Sequence, residues 1–229
     1  PVWVEGNTRE NRKIITQSNA SVTELNGDGP VTTIEEVNNL AIRILDTINE
    51  PSIIVFSGSI PPGLPDTTYK DLLKVFNTKG HTTILDTSGV LLEQGIKAKP
   101  YTIKPNIDEI SMYAGKEIHT VDEAKPYIEK ILNNGVKEVI LTMGDKGSVY
   151  FSKEEIIQIL PFDIKAVNTV GAGDSFVAGY AIALEKGFSV EDRMIYANAV
   201  ATCSVLGIGT GANNFNQLED FIKQTKIKR

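Results

Sequence analysis

Apolar residues at Ile34, Val37, Ala41, Ile44, Leu45 and Ile48 recur every three or four positions, which predicts a helix buried along one face. Pro51 ends it, and Ile53–Phe56 follows as a continuous apolar run of the kind a parallel strand covered on both faces requires. The alternation then repeats. Tyr69–Asn77 reads as helix, Thr82–Asp86 as strand, and Tyr101–Lys104 as a strand stopped by Pro105. Val121–Asn134 is helical, with Gly135 as its expected C-cap, and Glu138–Thr142 is the next strand. Phe176–Glu185 and Asp192–Leu206 close the series as two helices rich in small residues. Strands and helices in alternation imply right-handed βαβ units, hence an α/β fold with a doubly wound, mostly parallel sheet and helices on both faces. The start differs. Lys13–Thr16 and Ser21–Leu25 are short strand patterns around a turn at Gln17–Ala20, a hairpin outside the main sheet. The expected division is a segment at 1–30 and an α/β core at 31–229.

Composition narrows the function classes. The chain has 229 residues, 41% hydrophobic and 23% charged, enough for one sizeable packed domain. A net charge of −6 argues against a general nucleic-acid binder, although a local basic patch can still receive a phosphate. Cys203 is the only cysteine and sits in an apolar run, so it reads as a buried thiol. Two histidines, His81 and His119, and one cysteine supply too few ligands for a His/Cys zinc cage. No run is long and apolar enough to span a bilayer, and a soluble cytoplasmic protein is the default expectation. Pro1 enters directly into a strand-like Pro-Val-Trp-Val, which reads as a chain cut from something longer.

In open α/β sheets, ligands bind beyond the carboxyl ends of the strands. The loops expected there are polar and rich in glycine. The most informative is Asn168-Thr-Val-Gly171-Ala172-Gly173-Asp174, which runs straight into an apolar helical pattern. Glycines let a backbone approach a phosphate closely, and N–H groups at a helix start favour an anion. Asp174 is then a candidate base for a substrate hydroxyl, or alternatively an ordinary capping acid. Ser57, Gly58 and Ser59 offer hydroxyls and N–H groups to a substrate phosphate, or form a turn before Pro61. Asn106 and Glu109 share a face if a helix starts there, and suit a water-bound Mg²⁺ carried on nucleotide phosphates. The alternative is an acid placed to complement the helix dipole. Thr142, Gly144 and Gly147 are candidates for nucleotide phosphates, or for a tight hairpin into Ser148–Phe151. Lys104 lies at a strand end and faces either phosphate or solvent.

Taken together, these segments resemble the PfkB (ribokinase-like) carbohydrate kinases. Asn168–Gly179 is similar to that family's C-terminal signature, Lys104-Pro-Asn106-Ile-Asp-Glu109 to its Asn-x-x-Glu element, and Thr142-Met-Gly144-Asp-Lys-Gly147 to its nucleotide loop. Ser57–Gly63 and Gly6–Asn11 resemble the hexose-phosphate branch, which holds 1-phosphofructokinase and tagatose-6-phosphate kinase.

The resemblance implies ATP and Mg²⁺ as cofactors and a sugar phosphate as substrate. Asp174 would be the general base, and Gly171, Ala172 and Gly173 would present N–H groups to the transferred phosphoryl group. Glu109 with Asn106 would organise Mg²⁺, while Lys104, Thr142, Gly144 and Gly147 would hold ATP phosphates. Arg9, Ser57, Gly58 and Ser59 would hold the phosphate already on the sugar, for which an arginine fork is suited. Gly207, in the run Leu206–Gly211, would lie near the adenine, and residues 11–25 would belong to a partial β-lid through which a homodimer could form.

By the same resemblance, the family's N-terminal part is absent from this chain. The spelling around Thr8, Arg9 and Asn11 favours fructose 1-phosphate as acceptor, with tagatose 6-phosphate next. A non-catalytic binder of nucleotide or sugar phosphate is the alternative of another class. A dinucleotide-dependent oxidoreductase lacks its expected Gly-x-Gly-x-x-Gly after an early strand.

Overall fold

The computed structural model describes residues 1–16, 21–207 and 215–229. Strands β1 (Asn11–Thr16) and β2 (Ser21–Asn26) form a two-stranded antiparallel sheet, registered from Asn11 opposite Asn26 to Thr16 opposite Ser21. The expected turn at Gln17–Ala20 lies outside the described residues.

Helix α1 (Ile34–Thr47) starts at a capping box. Glu36 N donates to the Thr33 hydroxyl at 3.3 Å, and Thr33 N donates to the Glu36 carboxylate at 2.7 Å. Then follow β3 (Ile53–Ser57), α2 (Thr68–Thr78), β4 (Thr82–Asp86), α3 (Gly89–Ile96), β5 (Thr102–Ile103), α4 (Ile107–Ala114) and α5 (Val121–Asn133). The chain continues with β6 (Glu138–Thr142), a 3₁₀ turn (Gly144–Lys146), β7 (Ser148–Phe151) and β8 (Ile156–Ile159). Helices α6 (Ala172–Glu185) and α7 (Val190–Val205) come next, then α8 (Leu218–Gln224) and the short β9 (Ile227–Lys228).

The main sheet has the order β3-β4-β5-β6-β7-β8-β9. Its first four strands are parallel, and β7, β8 and β9 each join antiparallel. Successive strand residues point to opposite faces. Leu85, Ile103, Val139 and Leu141 pack with Leu73, Phe76, Leu92, Ile128 and Ile131 on one side. Ile84, Ile140 and Tyr150 pack with Phe176, Val177, Tyr180, Met194 and Ala197 on the other. Helices thus cover both faces, which is why the strands read as unbroken apolar runs rather than alternating ones.

The structure departs from the sequence expectations at several ends. Helix α6 begins at Ala172 rather than Phe176, because its first turn is made of glycine and polar residues that carry no apolar period. Asn134, not Gly135, caps α5. Gly135 follows with a φ of 108°. Helices α3 and α8 and strands β8 and β9 were not anticipated, each being too short to show a clear period.

A buried polar knot ties α6 and α7 to the sheet at the end opposite the β6 carboxyl terminus. Glu138 accepts from Thr102 Oγ1 and Tyr180 Oη at 2.7 Å each, from Arg193 Nη1 at 3.0 Å and from Tyr150 Oη at 3.1 Å. Burial and the Glu138 anion push both tyrosine hydroxyls well above their ordinary range, so they remain donors. The Glu138 and Arg193 side chains are only 4% and 7% exposed, so neither charge has water as a substitute partner. Arg193→Met should therefore cost about 3–5 kcal/mol in urea unfolding, since it strands a buried carboxylate. A loss below about 1 kcal/mol would show that the hydroxyls suffice alone.

Candidate active site

Parallel pairing lays the expected site residues along one edge of the sheet. Ser57, at the end of β3, is registered with Asp86 at the end of β4. Gly58 N donates to the Asp86 carbonyl at 2.9 Å, and Thr87 Oγ1 donates to the Gly58 carbonyl at 2.7 Å. Lys104 N donates to the Leu85 carbonyl at 3.1 Å, which sets the residue after β5 beside Asp86. Thr142 N donates to the Pro105 carbonyl at 3.0 Å, and Asn106 bridges to Thr142. Segments 57–59, 86–87, 104–109 and 142–147 thus stand side by side.

The Gly171–Asp174 turn meets this edge. Gly171 caps α6 with a φ of 79°, a left-handed conformation that costs a residue with a Cβ about 1–2 kcal/mol. The Asn168 side chain braces the approach by accepting from Val170 N at 3.0 Å. The Ala172 N–H is partly used, donating to the Thr169 carbonyl at 3.3 Å. Gly173 and Asp174 lie in the first turn, where no carbonyl four residues back in the helix can take their N–H groups. Both residues are exposed, so a ligand can reach them. Lys104 Nζ lies 3.5 Å from the point a Cβ on Gly173 would occupy.

Asn106 and Glu109 form the second capping box. Glu109 N donates to Asn106 Oδ1 and Asn106 N donates to Glu109 Oε2, each at 2.8 Å. Both residues therefore have a structural task, and the helix-start reading holds. Burial raises the Glu109 carboxyl above its ordinary range, against the lowering effect of that hydrogen bond and of Lys104. Among the described residues no cluster of three His, Cys, Asp or Glu could hold a metal by itself. One half-buried carboxylate with a free oxygen still fits Mg²⁺, which takes few protein ligands and keeps waters and phosphates as the rest.

Some of the remaining candidates border two hollows. Arg9 Nη1 donates to Ser59 Oγ at 2.7 Å and Arg9 Nε donates to Asn11 Oδ1 at 2.9 Å, at the border of a hollow of about 650 Å³. A second cavity of about 330 Å³ brings Gly144, Gly147 and Ala172 together with Phe162, Asn198 and Thr202. Gly207 follows α7 and does not line that cavity, and residues 208–211 of the glycine-rich run lie outside the described residues. Sequence reasoning missed Asp86 and Asn198. Asp86 was legible as an acid ending a predicted strand, while Asn198 sits mid-helix with no local signal.

A model described as pfkB family carbohydrate kinase matches residues 2–216. The chain belongs to that family. It is 31% identical to a 1-phosphofructokinase of Haemophilus influenzae over 98% of its own length and 72% of the relative's. It is 30% identical to a tagatose-6-phosphate kinase of Staphylococcus epidermidis, covering 98% of this chain and 73% of the relative. Phosphofructokinase-2 from Escherichia coli, solved in complex with potassium, superposes with a TM-score of 0.86 at 26% identity, covering 94% of this chain and 70% of that one. This carbohydrate-kinase fold and its phosphotransferase class agree with the expectation from the motifs.

Two outcomes follow from the geometry. Gly147 has a φ of 88°, and a Cβ there would lie 2.2 Å from the Ile159 carbonyl oxygen. Gly147→Ala should lower stability by 1–3 kcal/mol or so from backbone strain alone, read by thermal unfolding. Glu109→Gln removes a carboxyl whose folded-state pKa is raised. The charged form costs stability above that pKa, so the variant should melt at or above the parent near neutral pH. The two should converge as pH falls through the carboxylate range. A lower melting temperature across the whole range would contradict this assignment.

Proposed function

We propose that the protein transfers the γ-phosphoryl group of ATP to a ketohexose phosphate, with fructose 1-phosphate giving fructose 1,6-bisphosphate as the leading reaction. The observation that carries this is the meeting of Arg9 and Ser59. They lie 50 residues apart in sequence, yet their side chains join at 2.7 Å next to the strand-end edge. An arginine fork joined to a hydroxyl suits a phosphate already present on the acceptor. Tagatose 6-phosphate is the second candidate, since its kinase is nearly as similar as the 1-phosphofructokinase.

In this reading Asp174 accepts the proton of the attacking hydroxyl, and the Gly171–Gly173 turn receives the charge that develops on the transferred group. Lys104, Thr142, Gly144 and Gly147 hold ATP phosphates, and Ser57, Gly58 and Ser59 join Arg9 on the sugar phosphate. Glu109 and Asn106 would hold Mg²⁺ through its waters, and the ion would neutralise phosphate oxygens. Residues 1–30 would act as a lid over the sugar, with 31–229 as the core. The exposed Ile14 and Leu25 on the hairpin support pairing with a second copy. Among the described residues no helix is long and apolar enough to cross a membrane, and we place the enzyme in the cytoplasm.

The test is ADP release with Mg-ATP across fructose 1-phosphate, tagatose 6-phosphate, fructose 6-phosphate and ribose. Turnover should be highest on fructose 1-phosphate. Asp174→Asn should lower kcat by about 10²–10⁴-fold, while ATP binding by calorimetry survives. Undiminished turnover in the variant would remove Asp174 from its role. Nucleotide binding with no turnover on any acceptor would favour a binding protein instead.

A further inference from the structure

Lys104 Nζ and Asp86 Oδ1 form an ion pair at 2.9 Å, with side chains 8% and 12% exposed. A lysine stem is long and flexible, and its ammonium carries three donors with no fixed geometry. Left alone among these carboxylates, it has several destinations. Glu109 feels the charge of both Lys104 and Asp86, and Asp86 in turn feels Asp174. One ammonium therefore sits within electrostatic range of a metal-holding carboxylate and near the proposed base. The backbone has already chosen among them. The Ser57–Asp86 register and the bond from Lys104 N to the Leu85 carbonyl fix the two main chains side by side. The Asp86 backbone carbonyl is meanwhile held by Gly58 N, so the strand end itself does not drift.

We infer that Asp86 is a positioning residue of the phosphoryl-transfer site, holding the Lys104 ammonium against the Gly171–Gly173 turn and away from Asp174. Asp86 engages one of the three donors and leaves the others to phosphate oxygens. The ammonium then lies 3.5 Å from the notional Cβ position of Gly173, where a phosphoryl group arriving at the turn meets it without a search. Burial keeps water from competing for the pair and makes the arrangement stiff before substrate arrives. Asp86 itself touches no reacting atom in this account. It acts through Lys104, and its loss is a loss of preorganisation rather than of a binding contact.

This inference rests on the kinase reading above, and a double-mutant cycle separates the two. The assays use the intact protein and the acceptor that the substrate panel identifies. If the parent shows no turnover on any acceptor, the kinase reading has failed and the inference falls with it. Given turnover, Asp86→Asn should lower kcat by about 10²-fold, the cost of a misplaced catalytic group, while KM for ATP and for the sugar phosphate each stay within threefold or so. Lys104→Met should lower kcat by at least as much. Asp86→Asn added to Lys104→Met should then change kcat by less than about threefold, because the residue it positions is gone. A double variant slowed by a further tenfold or more would show that Asp86 acts on substrate or metal independently, and would overturn the inference. Should Asp86→Asn alone fail to fold with its lysine stranded, the comparison of Lys104→Met with the double variant decides by itself. Neither of those proteins carries the unpaired ammonium.

Discussion

Parallel pairing of β3, β4, β5 and β6 is the constraint on which the site depends. Parallel strands must all end at the same edge, so Ser57, Asp86, Lys104 and Thr142 arrive together although 85 residues of chain separate the first from the last. The register does more than gather them. Bonds from Gly58 to Asp86, from Lys104 to Leu85 and from Thr142 to Pro105 lock each loop to its neighbour before any side chain contributes. In the antiparallel β7–β9 extension only β8 runs the same way, and its carboxyl end at Ile159 reaches the same edge, where the Ile159 carbonyl meets Gly147.

Charge is distributed along that edge with a clear logic. Desolvation raises the carboxyl groups of Asp86 and Glu109, and Lys104 offsets part of the cost for both. A single buried cation thus makes it possible to keep two anions out of water at the strand-end edge. The Glu138 knot at the other end of β6 serves a different purpose. It fixes α6 and α7 against the sheet, so the turn that opens α6 is held in place from behind.

The alternation of apolar runs and helical periods carried most of the fold. Glu138–Thr142 matched its expected bounds, and α1, α2 and α5 matched within a residue or two, because long periodic segments have one satisfying environment. The first turn of α6 was hidden, since glycine and aspartate there carry no apolar period. The Asn106 and Glu109 spacing was legible, but only the structure shows the two bonded to each other as a helix cap. Asp86 was passed over because its meaning is non-local. Nothing near residue 86 in the chain announces a lysine 18 positions later, and only the sheet register brings them to 2.9 Å.

The central claim is that this edge aligns an acceptor hydroxyl, the phosphoryl group and Asp174. A crystal structure with fructose 1-phosphate, Mg²⁺ and a non-hydrolysable ATP analogue tests it most directly. The account predicts the acceptor hydroxyl within about 2.6–3.2 Å of the Asp174 carboxylate, the terminal phosphate at the Gly171–Gly173 turn, and the sugar phosphate on Arg9 and Ser59. A sugar phosphate bound away from Arg9, or a terminal phosphate with Asp174 out of reach of the acceptor, would contradict it.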